Sequence, residues 1–338
     1  MGNKVLVTGA SGFIAGHCIL DLLSHGYEVR GSVRNLARVK QIREMLGRYS
    51  DRAASVEFVE ANLLDADSWL RAIDGCDSVM HVASPVPVVQ PKDPNEVIRP
   101  AKEGAINVLS AARTMGIKRV VMTSSVAAVY TTGRREGVYT AEDWTNLSDS
   151  HMTAYSRSKT EAEQAAWAFV EDGGGPELVT VNPALVLGPA LEADYGSSLE
   201  VLVKLMSGKF PLLPRLGVNI VDVRDVATLH RLALEVEGAA GHRFLCGDEF
   251  MWLTEVAECV REYLPAFRSR ISTRTMPDFL VRFVALFVKE LEGFVNDIGK
   301  SKLIDSSPAR AIGWQPRSAK VAICDGAQSL VDLGIART

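Results

Sequence analysis

The chain has 338 residues, 47% hydrophobic and 23% charged, which is ordinary globular usage and excludes collagen-like, mucin-like and largely disordered classes. Its 37 Lys and Arg against 41 Asp and Glu give a net charge of -4. That balance argues against a dedicated nucleic-acid binder, which would carry a basic domain. A local basic cluster can still hold one phosphate.

The N-terminal residues lack the charged, apolar and small-residue order of a signal peptide, and no Ser or Thr follows Gly2 at the myristoylation spacing. The most apolar late stretch, 280–288, is interrupted by Arg282 and falls short of the roughly 20 apolar residues of a membrane span. A cytoplasmic protein with no membrane partner is expected. Five cysteines, Cys18, Cys76, Cys246, Cys259 and Cys324, are odd in number and form no C-x-x-C. They read as buried reduced thiols.

Val5-Leu6-Val7 is a short apolar strand running into glycine. Helix-period apolar positions follow from Phe13 to Leu23, stopped by Gly26. A second strand occupies 28–33 and a basic amphipathic helix 36–46. Further strands are expected at 56–59, 78–82 and 119–123, with helices at 66–73 and 94–115. A long helix over 153–170 ends at Gly173-Gly174-Gly175-Pro176, and a strand at 178–181 ends at Asn182-Pro183. Strands alternating with helices imply βαβ units and a parallel sheet covered on both faces. After Pro183 the rhythm loosens around Pro189, Pro211, Pro214 and Gly217, before a strand at 218–223 and helices at 225–236 and 253–264.

The expected class is therefore α/β, a doubly wound parallel sheet of Rossmann type. Residues 1–188 form the dinucleotide-binding domain, with strands near 218–250 returning to its sheet. Residues 189–338 form mainly a smaller, discontinuous C-terminal substrate-binding lobe. Such a lobe would close over the carboxyl edge of the sheet, where open α/β sheets bind ligands.

Gly9-Ala10-Ser11-Gly12-Phe13-Ile14-Ala15 lies at the first strand–helix junction. Gly9 permits the sharp turn, Gly12 lets a diphosphate approach the backbone, and Ala15 lets the helix pack close. The helix N-terminus then offers free N–H groups to the phosphates. The second strand ends Gly31-Ser32-Val33-Arg34 without the acid that meets an NAD ribose, and Glu28 stands too early to replace it. Arg34 and Arg38 can meet a 2′-phosphate bidentately, so NADP(H) is the expected cofactor. A solvated basic helix face is the plainer reading of the same residues.

Tyr155 and Lys159 stand at i and i+4, on one face of the long helix. A nearby ammonium stabilises a phenolate and lowers its pKa, which suits a general acid/base. Thr123-Ser124-Ser125 places hydroxyls at the end of the fifth strand. Taken together, the glycine turn, the Thr123-Ser124-Ser125 run, Tyr155-x-x-x-Lys159, the 182–189 segment Asn-Pro-Ala-Leu-Val-Leu-Gly-Pro and the 221–227 segment resemble the extended short-chain dehydrogenase/reductases over residues 3–250. His81-Val82-Ala83-Ser84-Pro85, Arg34 and the 161–167 segment are similar to dihydroflavonol reductases and to NADPH-dependent aldehyde and ketone reductases.

That resemblance implies an NADPH-dependent reduction of an aldehyde, ketone or keto ester, with the pro-S hydride transferred. Tyr155 would protonate the carbonyl oxygen, Lys159 would assist it and hold the nicotinamide ribose, and Ser125 would orient the substrate. Thr123, Ser124, Pro183, Leu185 and Val186 would line the cofactor beside the glycine-turn residues. Asn62, Leu63, Val82, Ala83 and Ser84 would take the adenine and the central ribose–phosphate stretch. Asn107 matches an asparagine common in the family. Asn62 stands where the family commonly has Asp. Tyr130 replaces the asparagine that follows the catalytic serine in plant dihydroflavonol reductases, which speaks against a flavonoid. Substrate-lining candidates are Val86, Tyr130, Leu191 and Tyr195, with Leu199, Leu202 and Met206 as wall or core.

His81 reads as core or cofactor-lining, and with no second ligand at useful spacing no metal is expected. His151 reads as a loop residue that could rim the pocket. Phe279, Phe283, Phe287 and Phe294 read as lobe packing, or as a pocket wall or homodimer face. Lys302 and Arg317 read as solvated. Two rival functions are a nucleotide-sugar epimerase or dehydratase with tightly held NAD, and a non-enzymatic NADP(H) sensor. The expected partner is a small carbonyl or alcohol, with no nucleic acid.

Overall fold

The protein is represented by a computed structural model that describes residues 4–86, 93–130, 136–149, 152–285 and 295–337. In chain order its first part runs β1 Lys4–Val7, α1 Phe13–Ser24, β2 Glu28–Val33, α2 Val39–Gly47, β3 Glu57–Glu60, α3 Ala66–Ile73, β4 Ser78–His81, α4 Asn95–Thr114 and β5 Arg119–Thr123. It continues β6 Gly137–Tyr139, α5 Ala154–Glu171, β7 Glu177–Pro183, β8 Leu185–Leu187, α6 Glu200–Met206, β9 Leu213–Pro214, β10 Gly217–Asp222 and α7 Val223–Glu235. The last elements are β11 Arg243–Cys246, β12 Glu249–Trp252, α8 Leu253–Tyr263, β13 Thr275–Met276, α9 Asp278–Ala285, β14 Lys302–Ile304, then helices Ser307–Ala311 and Ala319–Asp332. The expected basic helix begins later than its sequence suggests, because Asn35 accepts the Ala37 N–H and starts a 3₁₀ turn over Leu36–Arg38.

Seven parallel strands form the main sheet in the order β11-β7-β5-β4-β1-β2-β3. The strand order reverses between β1 and β4, so their carboxyl ends open the crevice where such sheets bind ligands. Helices α1 and α7 pack together on one face, and α4 and α5 on the other. Val5, Val7 and Met80 are buried towards α1, while Leu6, Val79 and Val120 are buried towards α4 and α5. This alternation is what a strand with a two-residue side-chain period requires when both faces are covered.

The strand near 245 joins the main sheet, but the strand near 220 does not. β11 pairs with β7 from Arg243↔Thr180 to Cys246↔Pro183 and occupies that edge. β10 instead pairs parallel with β8 and antiparallel with β12. Around this small sheet, α6, α8 and Ala319–Asp332 enclose a separate core containing Leu199, Leu202, Met206, Val256 and Leu330. β6 and β14 form another pair, whose Tyr139 and Ile304 pack with Val129 and Tyr130, a few residues after Ser125.

Several side chains depart from their expected settings. Phe279 and Phe283 are 75% and 58% exposed, while Phe287 and Phe294 lie outside the described residues. Lys302 is buried and ion-paired with Asp297, and Arg317 pairs with buried Asp225. Pairing of β14 with β6 buries Lys302, whereas the Arg317 side chain stays 44% exposed, as expected, while its charge meets Asp225. The five cysteines are free, and Cys76 and Cys259 are only half-buried.

Gly31 shows how tightly β2 is set against the glycine turn. A Cβ there would meet Ala10 Cβ at 2.7 Å and the Phe58 ring at 3.1 Å. Gly31→Ala is therefore expected to cost about 1–3 kcal/mol of stability, as overpacking does. Urea unfolding would measure it, and an unchanged midpoint would contradict so close a fit.

Candidate active site

The turn between β1 and α1 is pinned from both neighbouring strands. Gly9 and Ala10 N–H groups donate to Ser32 Oγ and O, at 3.2 and 2.8 Å. Gly9 has φ +70°, and a Cβ on it would stand 3.0 Å from Ala83 Cβ. Glycine meets both demands. On the β4 side, Thr8 Oγ1 accepts the Ala83 N–H at 2.9 Å and lies 3.0 Å from His81 Nδ1. His81 thus ties the two strands that flank the crevice.

Helix α1 starts after Gly12 with no side-chain cap and no acid in its first turn. Its first N–H groups and positive dipole end are open to an anion. This donor set fits a dinucleotide diphosphate. Phe13 and Ile14 turn into the core that also holds Val186, which is only 4% exposed. Leu185 is half-buried beside the neighbouring cluster, and Pro183 is buried at the end of β7.

At the ends of β2 and β3, Arg34, Asn62, Asp65, Ser68 and Arg71 line a cavity of about 390 Å³. Among the described residues Arg34 makes no ion pair, so its guanidinium is available to an anion. Asn107 Nδ2 donates to Leu63 O at 2.8 Å, holding the segment that carries Asn62 and Leu63. Arg71 was not singled out from sequence. Only the fold brings α3 beside the end of β2.

Arg38 is placed differently from the expectation. Its guanidinium reaches Glu192 and Asp194, each at 3.3 Å, and Glu192 also accepts from Gln41 at 3.0 Å. These acids belong to the segment after Pro189, which folds back over the glycine turn. Leu191 is part of the same strap, buried against α1 and Met45 rather than lining a substrate pocket. Its burial follows from Gly16, the small residue that leaves room for it. Leu199, Leu202 and Met206 are likewise core. The Tyr195 hydroxyl donates to Glu200 at 2.8 Å.

Thr123, Ser124 and Ser125 are buried at the carboxyl end of β5. Ser125 Oγ caps a 3₁₀ turn by accepting the Ala127 N–H and hydrogen-bonds Tyr155. Tyr155 is the second residue of α5, whose start is capped by Thr153. Lys159, 4% exposed, donates to Thr123 O at 3.4 Å, and its Nζ lies 5.9 Å from the Tyr155 ring centre. The three expected catalytic residues therefore come together. Ser124 differs: its hydroxyl donates to Glu163 at 2.6 Å, which engages it inside the protein instead of on a cofactor.

Burial raises the Tyr155 phenol above its usual value, opposed by the Ser125 bond. The lowering expected from Lys159 is not found: burial of the phenol sets the direction, and the Ser125 bond is what opposes it. Burial also lowers Lys159 to about 8, with Glu163 pulling it back up.

Tyr130 follows the Ser125 turn. Its hydroxyl accepts from Asn219 at 2.5 Å, and Lys302 stands over its ring at 5.6 Å. Val86 and Ser84 lie on the β4 side, Val86 48% exposed and Ser84 half-buried, with Val82 and Ala83 between the turn and Ser84. His151 lies outside the described residues. Among the described residues no helix is long and apolar enough to cross a membrane.

Three buried histidines make stability pH-dependent. Burial lowers His17 to about 4, His81 to about 3 and His230 to about 4. Below pH 6.5 the unfolded chain takes up protons that the folded chain refuses, so stability falls as pH drops from about 6.5 towards 4. Each group contributes up to about 1.4 kcal/mol per pH unit in that window. Urea midpoints at pH 7.5, 6 and 5 check this, and a flat series would contradict it.

The NAD dependent epimerase/dehydratase family matches residues 5–247. Cinnamoyl-CoA reductase 1 of Arabidopsis thaliana is 38% identical over 272 residues, 79% of this chain and 76% of its own length. Dihydroflavonol 4-reductase of Zea mays is 34% identical over 272 residues, covering 78% of this chain and 75% of that protein. The structure of the yeast methylglyoxal/isovaleraldehyde reductase Gre2 complexed with NADPH has a TM-score of 0.80 and 25% identity, covering 98% and 99% of the two chains. The likeness to dihydroflavonol and aldehyde or ketone reductases is borne out. The cinnamoyl-CoA reductases are a further group that the motifs did not single out.

Proposed function

This chain belongs to the NAD dependent epimerase/dehydratase family as an NADP-dependent oxidoreductase of the extended short-chain type, and we propose that it reduces an aldehyde, ketone or keto ester with Tyr155 as the proton donor. The observation that carries this reading is the meeting of Ser125, Tyr155 and Lys159 at the carboxyl edge of the sheet, beside the open N-terminus of α1. NADPH, when bound, supplies the hydride. The α1 N-terminus and the glycine turn would hold its diphosphate, and Arg34, with Arg71 beside it, would meet the 2′-phosphate.

The protein's own chemistry is proton delivery. A raised Tyr155 phenol stays protonated at neutral pH, as a donor to a carbonyl oxygen must. Ser125 shares the hydrogen bond and orients the oxygen. As the phenol releases its proton, the Lys159 ammonium and the positive end of α5 stabilise the phenolate. Burial of Lys159 and the Ser125 turn excludes water and strengthens both interactions.

The test uses NADPH deuterated at the 4-pro-S position with methylglyoxal, isovaleraldehyde and cinnamoyl-CoA as trial substrates. Deuterium in an alcohol from either aldehyde is the expected result. Unlabelled product, or reduction of cinnamoyl-CoA alone, would overturn the stated hydride face or substrate class respectively.

A further inference from the structure

We propose that Glu163 is a positioning residue of the catalytic site, its carboxylate fixing the Ser124–Ser125 strand end and serving as the counter-charge of Lys159. The proposal rests on the reading of Tyr155 and Lys159 as the catalytic pair. Tyr155, Lys159 and Glu163 are spaced by four residues, so they share one face of α5. Glu163 is fully buried. Its Oε2 accepts from Ser124 Oγ at 2.6 Å and Asn182 Nδ2 at 2.8 Å, and its Oε1 accepts from Thr180 Oγ1 at 2.9 Å and Arg243 Nε at 2.7 Å. Asn182 Nδ2 also donates to Ser125 O at 3.3 Å. One carboxylate therefore holds both serines of the β5 end, directly or through Asn182, against α5.

The charge argument needs the surroundings of Lys159. From its own helix, Tyr155 and Glu163 face it. From β4, His81 lies within electrostatic reach. From α7, His230 Nε2 stands 2.6 Å from Thr123 Oγ1, on the residue whose carbonyl receives the Lys159 bond. From β11, Arg243 faces Glu163 and is held by Ala141 O and Asp143 O, with its guanidinium 3.6 Å from the Trp144 ring centre. Burial keeps both histidines neutral at pH 7. Among these groups Glu163 is the anion, and it favours the ammonium form of Lys159. Arg243 bonds both oxygens of the same carboxylate, at 2.7 and 3.4 Å, and so offsets part of its charge.

The test compares Glu163→Gln, which keeps shape and removes charge, with Glu163→Asp, which keeps charge and shortens the reach to Ser124. Lys159 is titrated through the ¹³Cε shift of labelled lysine in the enzyme alone, assigned with Lys159→Arg. In parallel, kcat is followed against pH with NADPH and the best aldehyde. Glu163→Gln is expected to make Lys159 titrate about one pH unit lower, as loss of a nearby opposite charge does. Its alkaline limb of kcat should move down with it. Glu163→Asp should keep the wild-type titration while lowering kcat. Should Glu163→Gln alone fail to fold, Glu163→Gln with Arg243→Met removes both charges, and a smaller shift in the same direction is expected. A folded Glu163→Gln or double variant with the wild-type titration and pH profile overturns the proposal. Absence of wild-type turnover overturns the catalytic reading instead, and the lysine titration still reports on the counter-charge.

Discussion

Tyr155→Phe is expected to lower kcat by roughly 10²–10⁴-fold, the range for loss of a positioned general acid, with KM and fold little changed. The substitution removes one hydroxyl and its bond to Ser125 and leaves the ring in place on α5. No other described side chain hydrogen-bonds Ser125 Oγ with an acidic proton to give, so the loss has no ready substitute. Circular dichroism and NADPH binding by fluorescence would establish that the variant is intact. Single-turnover rates would then isolate the proton-transfer step. A Tyr155→Phe enzyme within threefold of wild type would mean that the proton comes from elsewhere.

Arg34→Ala is expected to weaken NADPH binding by roughly 10–100-fold and leave NADH binding nearly unchanged. Hydrogen bonds to charged groups contribute about 1.5–3 kcal/mol, and each 1.4 kcal/mol is tenfold in affinity. Arg34 stands at the rim of the cavity formed by the ends of β2 and β3, free of the ion pairs that engage Arg38. Arg38→Ala should have the smaller effect, because Arg38 already spends its guanidinium on Glu192 and Asp194. Equilibrium titration with both coenzymes measures this directly. Equal losses for NADPH and NADH in Arg34→Ala would place Arg34 away from the 2′-phosphate.

The fold was legible where the signal is local. β1 and β5 follow from short apolar runs ending in turn residues, and α3 from its own apolar period. The glycine turn was legible because backbone geometry there admits few residues. What escaped depends on which distant segments meet. β10 looks like a sheet strand in sequence, but the free edge of β7 is taken by β11. Arg38 looks like a phosphate ligand until the strap after Pro189 brings Glu192 and Asp194 to it. Leu191 looks like pocket lining until Gly16 makes a place for it in the core. The motif order singles out Ser125 for the substrate, but only the fold shows that Ser124 is engaged by Glu163. The spacing of Glu163 from Lys159 repeats that of Lys159 from Tyr155, a signal that could have found it. Nothing in the sequence points to Arg243 as its partner, because β11 lies 80 residues away.

The most direct test of the whole account is the loss of NADPH absorbance with a panel of aldehydes, diketones, keto esters and aryl ketones, repeated with NADH and with Tyr155→Phe. The expected result is turnover with NADPH on at least one class of simple carbonyl, weak turnover with NADH, and near-complete loss in the variant. Folded protein that binds NADPH yet turns over none of these carbonyls would contradict it.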